Sequence, residues 1–240
     1  MNSFESKMNR LIYALVAVMA MVSCAENYET YNIQGVSSVS LEHGNRLSLK
    51  VFRDANLADL DSCEMVHGNF SFAGRIDTTQ LGFIVIDDLE EPVPLVIETG
   101  QILVSIGRGM SRVSGTPLND KLYEYLEHYN QLMNYSAELK TRTNDAASLR
   151  TQKDSLETRF IIENSDNVAG FYAFLQMVSE LVETQRLITP QLEEIMQQAS
   201  ASFRQNPFVM NYYREAREYM NQRQKENAAA GKPTKNADTR

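Results

Sequence analysis

The chain has 240 residues, with 31 Asp and Glu against 23 Lys and Arg for a formal net charge of −8, two cysteines and no tryptophan. With no Lys/Arg stripe and no aromatic residues interleaved with basic ones, this acidic balance argues against nucleic acid and against polybasic attraction to anionic lipid. The length suffices for one sizeable or two small domains with their own cores.

The first predicted element is a leader over residues 1–23. Lys7 and Arg10 give it a positive start, and Leu11 to Val22 is an apolar run of twelve residues broken only by the hydroxyl of Tyr13. A membrane span needs about 20 apolar residues, so this run reads as the hydrophobic region of a secretory signal peptide. Met21-Val22-Ser23-Cys24 follows. It resembles the lipobox of bacterial lipoproteins, with Ser23 as the small residue before the cut and Met21 in place of the usual Leu. The resemblance implies diacylglycerol on the Cys24 sulfur and a membrane partner reached through the N-terminal lipid. At about 0.8 kcal/mol per buried methylene, two or three acyl chains make a stable anchor. The alternative is a simple periplasmic or secreted protein in which Cys24 is only a small residue of the leader. Lipidation places the chain in the cell envelope. Ala25 after the cysteine resembles outer-membrane sorting, and the periplasmic or surface face stays open.

If Cys24 carries lipid, Cys63 is the one thiol left, and no intramolecular disulfide can form. Free cysteine usually behaves as a small buried hydrophobe, with a reactive thiol as the alternative. His67 lies four residues along, about 13 Å away on a strand, beyond hydrogen-bond reach unless the chain bends at His67-Gly68.

Residues 24–30 form a polar tether, and 31–114 read as an antiparallel β domain of seven or eight strands, a sandwich or small barrel. Arg46 to Arg53 alternates, with Leu47, Leu49 and Val51 on one face. Glu42-His43-Gly44-Asn45 and His67-Gly68-Asn69 read as turns, the latter between Leu60–Val66 and Phe70–Ile76. Phe70, Phe72 and Ile76 share a face. Leu81 to Ile86 is apolar on both faces and belongs at the centre of a sheet. Thr99-Gly100 reads as a hairpin turn between Val93–Glu98 and Gln101–Ile106.

Residues 115–226 are expected to be all-helical, with four or five helices. Thr116-Pro117, Thr189-Pro190 and Asn206-Pro207 each place a capping residue before a proline at the first helical position; the last two start helices of about 12 and 18 residues. Leu118, Leu122, Tyr125, Tyr129, Leu132 and Leu139 form a heptad seam, satisfied within one bundle or by a dimer. Asp166 or Asn167 opens another helix through Glu183. Residues 227–240 turn small and polar and are expected to be a disordered tail. The fold class is therefore α+β.

These segments resemble the N-terminal domain of unknown function that precedes thioredoxin-like domains in envelope lipoproteins of Gram-negative bacteria. The likeness rests on Tyr31-Asn-Ile-Gln-Gly35, Asp61 to Gly74, Val96-Ile-Glu-Thr-Gly-Gln-Ile102 and Val113-Ser-Gly-Thr-Pro-Leu-Asn119, with glycines read as hairpin residues and phenylalanines as core. It extends through Phe160 to Asn164 and Asn167 to Gly170, where Ser165 replaces the usual proline. In relatives a Gly-Lys-Pro-like stretch opens a thioredoxin domain with paired redox cysteines. Here Gly231-Lys232-Pro233 is followed by a few polar residues, and no Cys-x-x-Cys occurs. Disulfide exchange needs both thiols, so no catalytic residue carries over.

No metal or cofactor site is expected. Asp87, Asp88, Glu90 and Glu91 lack the spacing of a calcium loop and read as solvated loop charge. His43, His67 and His128 are too scattered for zinc. The tyrosines from Tyr123 to Tyr135 and at Tyr212, Tyr213 and Tyr219 read as packing groups, with a sugar or peptide surface as the alternative. The expected function is a lipid-anchored, non-enzymatic binding or scaffolding protein with a protein partner in the envelope. The alternatives are a thiol-dependent redox accessory acting through Cys63, and a glycan- or peptide-binding lipoprotein.

Overall fold

A computed structural model describes residues 29–38, 46–53, 56–86, 92–107, 109–138, 143–184 and 187–230. Among the described residues, eight strands precede six helices. The strands are β1 (Glu29–Ser37), β2 (Arg46–Arg53), β3 (Asn56–Glu64), β4 (Asn69–Ile76), β5 (Gln80–Ile86), β6 (Val93–Ile97), β7 (Gly100–Ile106) and β8 (Arg112–Ser114). The helices are α1 (Pro117–Glu138), α2 (Thr143–Glu163), α3 (Val168–Glu183), α4 (Pro190–Gln198), α5 (Ala201–Arg204) and α6 (Pro207–Ala230). The class is α+β, with the sheets in the N-terminal half. The leader, Cys24, the Glu42–Asn45 turn, Leu139 and residues 231–240 lie outside the described residues.

The strands form two four-stranded sheets, β4-β1-β7-β8 and β3-β2-β5-β6, stacked face to face. Alternation decides which side chains meet between them. Leu47, Leu49 and Val51 of β2 point inward, as do Phe70, Phe72 and Ile76 of β4. Strand β5 is interior to its sheet, as its two apolar faces require. Ile84 and Ile86 enter the sandwich core, and Phe83 faces the helices against Tyr172.

Several features differ from expectation. Strands β6 and β7 belong to different sheets, so Thr99-Gly100 is a crossover and not a hairpin turn. Gly100 has φ +124°, which suits glycine. Strand β7 then lies parallel to β1, the one parallel pairing among the described strands. The His67-Gly68 turn is tight, closed by a two-way bridge between Val66 and Asn69, but pairing stops there because β3 and β4 also lie in different sheets. Strand β1 begins at Glu29, two residues inside the expected tether, and α6 runs through Ala230 into the expected tail.

Gly35 and Gly74 sit within strands rather than at hairpins. Their partners explain them. Gly35 is opposite Phe70 and Gly74 opposite Tyr31 in the β1–β4 ladder, and each aromatic ring lies on the glycine across from it. A methyl group at Gly35 would stand 2.0 Å from the Phe70 ring. The two sequence motifs are thus reciprocal, each supplying the ring that covers the other's glycine.

The helices cover the outer face of the second sheet. Val96 of β6 is buried in the helical core with Leu122, Phe174 and Leu192, and Phe52 of β2 meets Phe171 and Phe208. Helix α1 lies against β6 and β8, closing that side of the sandwich. Its start is capped differently from expectation. The Thr116 hydroxyl accepts from the Asn119 side chain, while the Leu118 and Asn119 amides donate to Glu98 Oε1 at 2.9 and 3.2 Å. A carboxylate at this end satisfies free N–H groups and complements the helix dipole. Thr189 and Asn206 cap α4 and α6 as expected, and Asn167, not Asp166, caps α3.

Asn119, 1% exposed, joins the two layers. Its Oδ1 accepts from the Val96 amide at 2.8 Å, and its Nδ2 donates to the Val96 carbonyl at 2.7 Å. Asn119→Ala should lower the unfolding free energy by about 2–4 kcal/mol, because both Val96 groups lose their partner where water is excluded. Asn119→Asp should not rescue, since it cannot donate to the carbonyl. Urea titration of both variants checks this.

Candidate functional site

Among the described residues no helix lies across the outer face of the first sheet, and a cleft of about 670 Å³ crosses it. Its floor is the outward side of β1 and β7, where Val36 is 52% and Leu103 45% exposed. Val66, 59% exposed, flanks them at the β3–β4 corner. Arg112 of β8 and Glu64 of β3 are the charged groups of the lining. The Arg112 guanidinium lies 5.1 Å from the Tyr123 ring centroid, so α1 positions it through a cation–π contact. The surface is apolar at the centre and charged at its margins, suited to binding.

Cys63 borders this cleft, half-buried and packed against the edge of the sandwich core. Burial pushes its thiol above the ordinary value and Asp61 adds to the effect, against an opposing backbone hydrogen bond at Ser71. The partner of Cys63 is therefore on β4, while His67 occupies the turn at φ 50°. A raised thiol is a poor nucleophile at neutral pH.

Asp87, Asp88, Glu90, Glu91 and His43 lie outside the described residues. Among the described residues, no three His, Cys, Asp or Glu come together as a metal site. The tyrosines are brought to different places. Tyr125 stacks on Phe160 at 4.3 Å and donates to Gln176, Tyr212 donates to the Leu187 carbonyl, and Tyr213 donates to Glu193 at 2.6 Å. Tyr135 and Tyr219 are exposed.

The helical layer holds a polar cluster that the sequence does not advertise. Glu157 of α2 is 0% exposed, and Lys153, one turn earlier, pairs with it at 3.3 Å and with Glu180 of α3. Gln191 of α4 donates to Glu157 Oε2 at 3.0 Å and to the Asp154 carbonyl at 3.1 Å. The Lys153 ammonium lies 5.9 Å from the Tyr129 ring centroid of α1. One lysine and one glutamate thus tie α2 to its three neighbours. Burial raises the Glu157 carboxyl above its ordinary value, opposed by Lys153 and Gln191. Burial alone would lower Lys153, but Glu157 and Glu180 outweigh it and hold the ammonium above its usual range. With every member paired, the cluster reads as a structural tie between helices.

These features define an α+β protein with a β-sandwich, a helical layer on one side and an open sheet face on the other. Residues 31–122 match the family described as Domain of unknown function (DUF4369). The matched stretch begins in β1, runs through β8 and ends in α1 just past Asn119, so the motifs of the layer junction fall inside it. No curated protein and no solved structure matches the chain. No described helix is long and apolar enough to cross a membrane.

Two measurements follow from the titrating groups. In a Cys24→Ser variant, which isolates Cys63, a disulfide reagent at about pH 8 should react more slowly with the folded protein than with the urea-unfolded chain. For Glu157, the folded state holds its proton more tightly than the unfolded state does. Between the ordinary carboxylate value and the raised one, its contribution to stability therefore falls as pH rises. The unfolding free energy of the native protein minus that of Glu157→Gln should decline as pH rises above the ordinary carboxylate range.

Proposed function

We propose that the protein is a lipid-anchored, non-enzymatic binding module of the bacterial cell envelope, held through Cys24 to the outer membrane. The leader carries this reading, because a twelve-residue apolar run ending in Ser23-Cys24 is too short to span and correctly placed for lipidation. Three further observations support it. The open face of the first sheet offers an apolar centre with charged margins. The candidate thiol is raised rather than activated. The DUF4369 match falls on the segment whose motifs resemble the domain placed before thioredoxin-like domains. On this reading the chain is related to that accessory region and acts by contact, with a protein partner in the envelope.

Mass spectrometry of protein extracted from its native membrane tests the anchor. The expected species begins at Cys24 and carries acyl chains, and Cys24→Ala should move the protein from the membrane to the soluble fraction. An intact leader, or an unmodified Cys24 at the mature terminus, would refute the assignment.

A further inference from the structure

Beyond Glu29, exposed at the start of β1 and bonded by the Thr99 hydroxyl, the outward positions of β1, β4, β7 and β8 alternate with the buried ones and contain no Asp or Glu. They are Thr, Asn, Gln, Ser, Ala, Val and Leu, with Arg75 and Arg112 as the exceptions. In a chain with 31 carboxylates, a solvated face of this size would ordinarily carry several. A face without them is the one that two copies, each with a net charge of −8, can bring together without opposing like charges.

The charged margins are self-complementary. Among the described residues Arg112 has no carboxylate partner, and Glu64 has no ion pair; Arg46, opposite Glu64 in the ladder, donates to Ser62 instead. Arg112 is at one margin of the sheet, on β8, and Glu64 is by the β3–β4 corner at the other. Register sets their heights. Arg112 is beside Ser105, Ser105 beside Val36, and Val36 beside Asn69, which is bridged to Val66 at that corner.

We propose that this face is a self-association surface. Two copies meet through their first sheets about a two-fold axis parallel to the strands, with Arg112 of each against Glu64 of the other. That rotation reverses the strand order, laying β8 over the β3–β4 margin and β7 over β1. Leu103 and Val36, exposed in one copy, are covered together. An axis across the strands would set Arg112 near Arg112 and is disfavoured. Four strands at about 4.8 Å spacing and roughly 23 Å mean length bury on the order of 900 Å² in total, below the range of stable specific interfaces, so the dimer is of the weak, reversible class. The inference stands apart from the anchor assignment, since it requires no lipid.

Sedimentation equilibrium of the full chain in density-matched detergent, at protein concentrations from about 1 to several hundred micromolar, tests it. The native chain should show a monomer–dimer equilibrium that weakens with salt. Arg112→Glu and Glu64→Arg should each weaken it about tenfold or more, and the double variant Arg112→Glu/Glu64→Arg should restore it. Recovery in the double variant separates a lost contact from a misfolded single variant. A native chain that stays monomeric, single variants that dimerise normally, or a double variant no better than its parents would overturn the proposal. So would a face that binds only a different protein while the chain alone stays monomeric.

Discussion

Strand β6 ends its sheet, and an edge strand buried under helices must find partners for the amide and carbonyl that point away from the sheet. At Val96 the Asn119 side chain supplies both, as the backbone of another strand would. Because Asn119 is in the first turn of α1, the bond that completes the edge also places the helix. Glu98, two residues beyond Val96, caps that same turn. The edge, the crossover to β7 and the start of the helical layer are therefore fixed at one place.

From that junction the molecule becomes one-sided. Phe52, Phe83 and Val96 make the outer face of the second sheet aromatic and aliphatic, and α1, α3 and α6 cover it. The outer face of the first sheet carries hydroxyls, amides, two arginines and a few exposed aliphatic groups, and no described helix lies across it. A fold built this way reserves one sheet face for its own core and leaves the other available. The binding reading and the self-association inference both concern that available face.

The helical layer is specified partly by charge. Burying Glu157 is costly unless it is paired; Lys153 of the same helix and Gln191 of α4 supply the pairing, and Glu180 of α3 holds Lys153. Removing one member would leave another buried without its partner, so the cluster discriminates against other packings of α2 more than it adds net stability.

The period-two alternation of β2 and β4, the two apolar faces of β5, the proline-marked helix starts and the change of texture near residue 115 were all legible in the chain, because each is a local consequence of strand or helix geometry. Helix α2 was not, because its buried stripe includes Lys153 and Glu157, and a stripe containing charges has no apolar period to detect. Nor was the assignment of β6 and β7 to different sheets, since Thr99-Gly100 can serve a hairpin or a crossover equally well. Strand pairing is a choice among distant segments. The parallel contact of β1 with β7, the ring of Phe70 on Gly35, and the meeting of Asn119 with Val96 were decided only when the whole chain found the arrangement that buries both cores and gives the Val96 amide and carbonyl a partner.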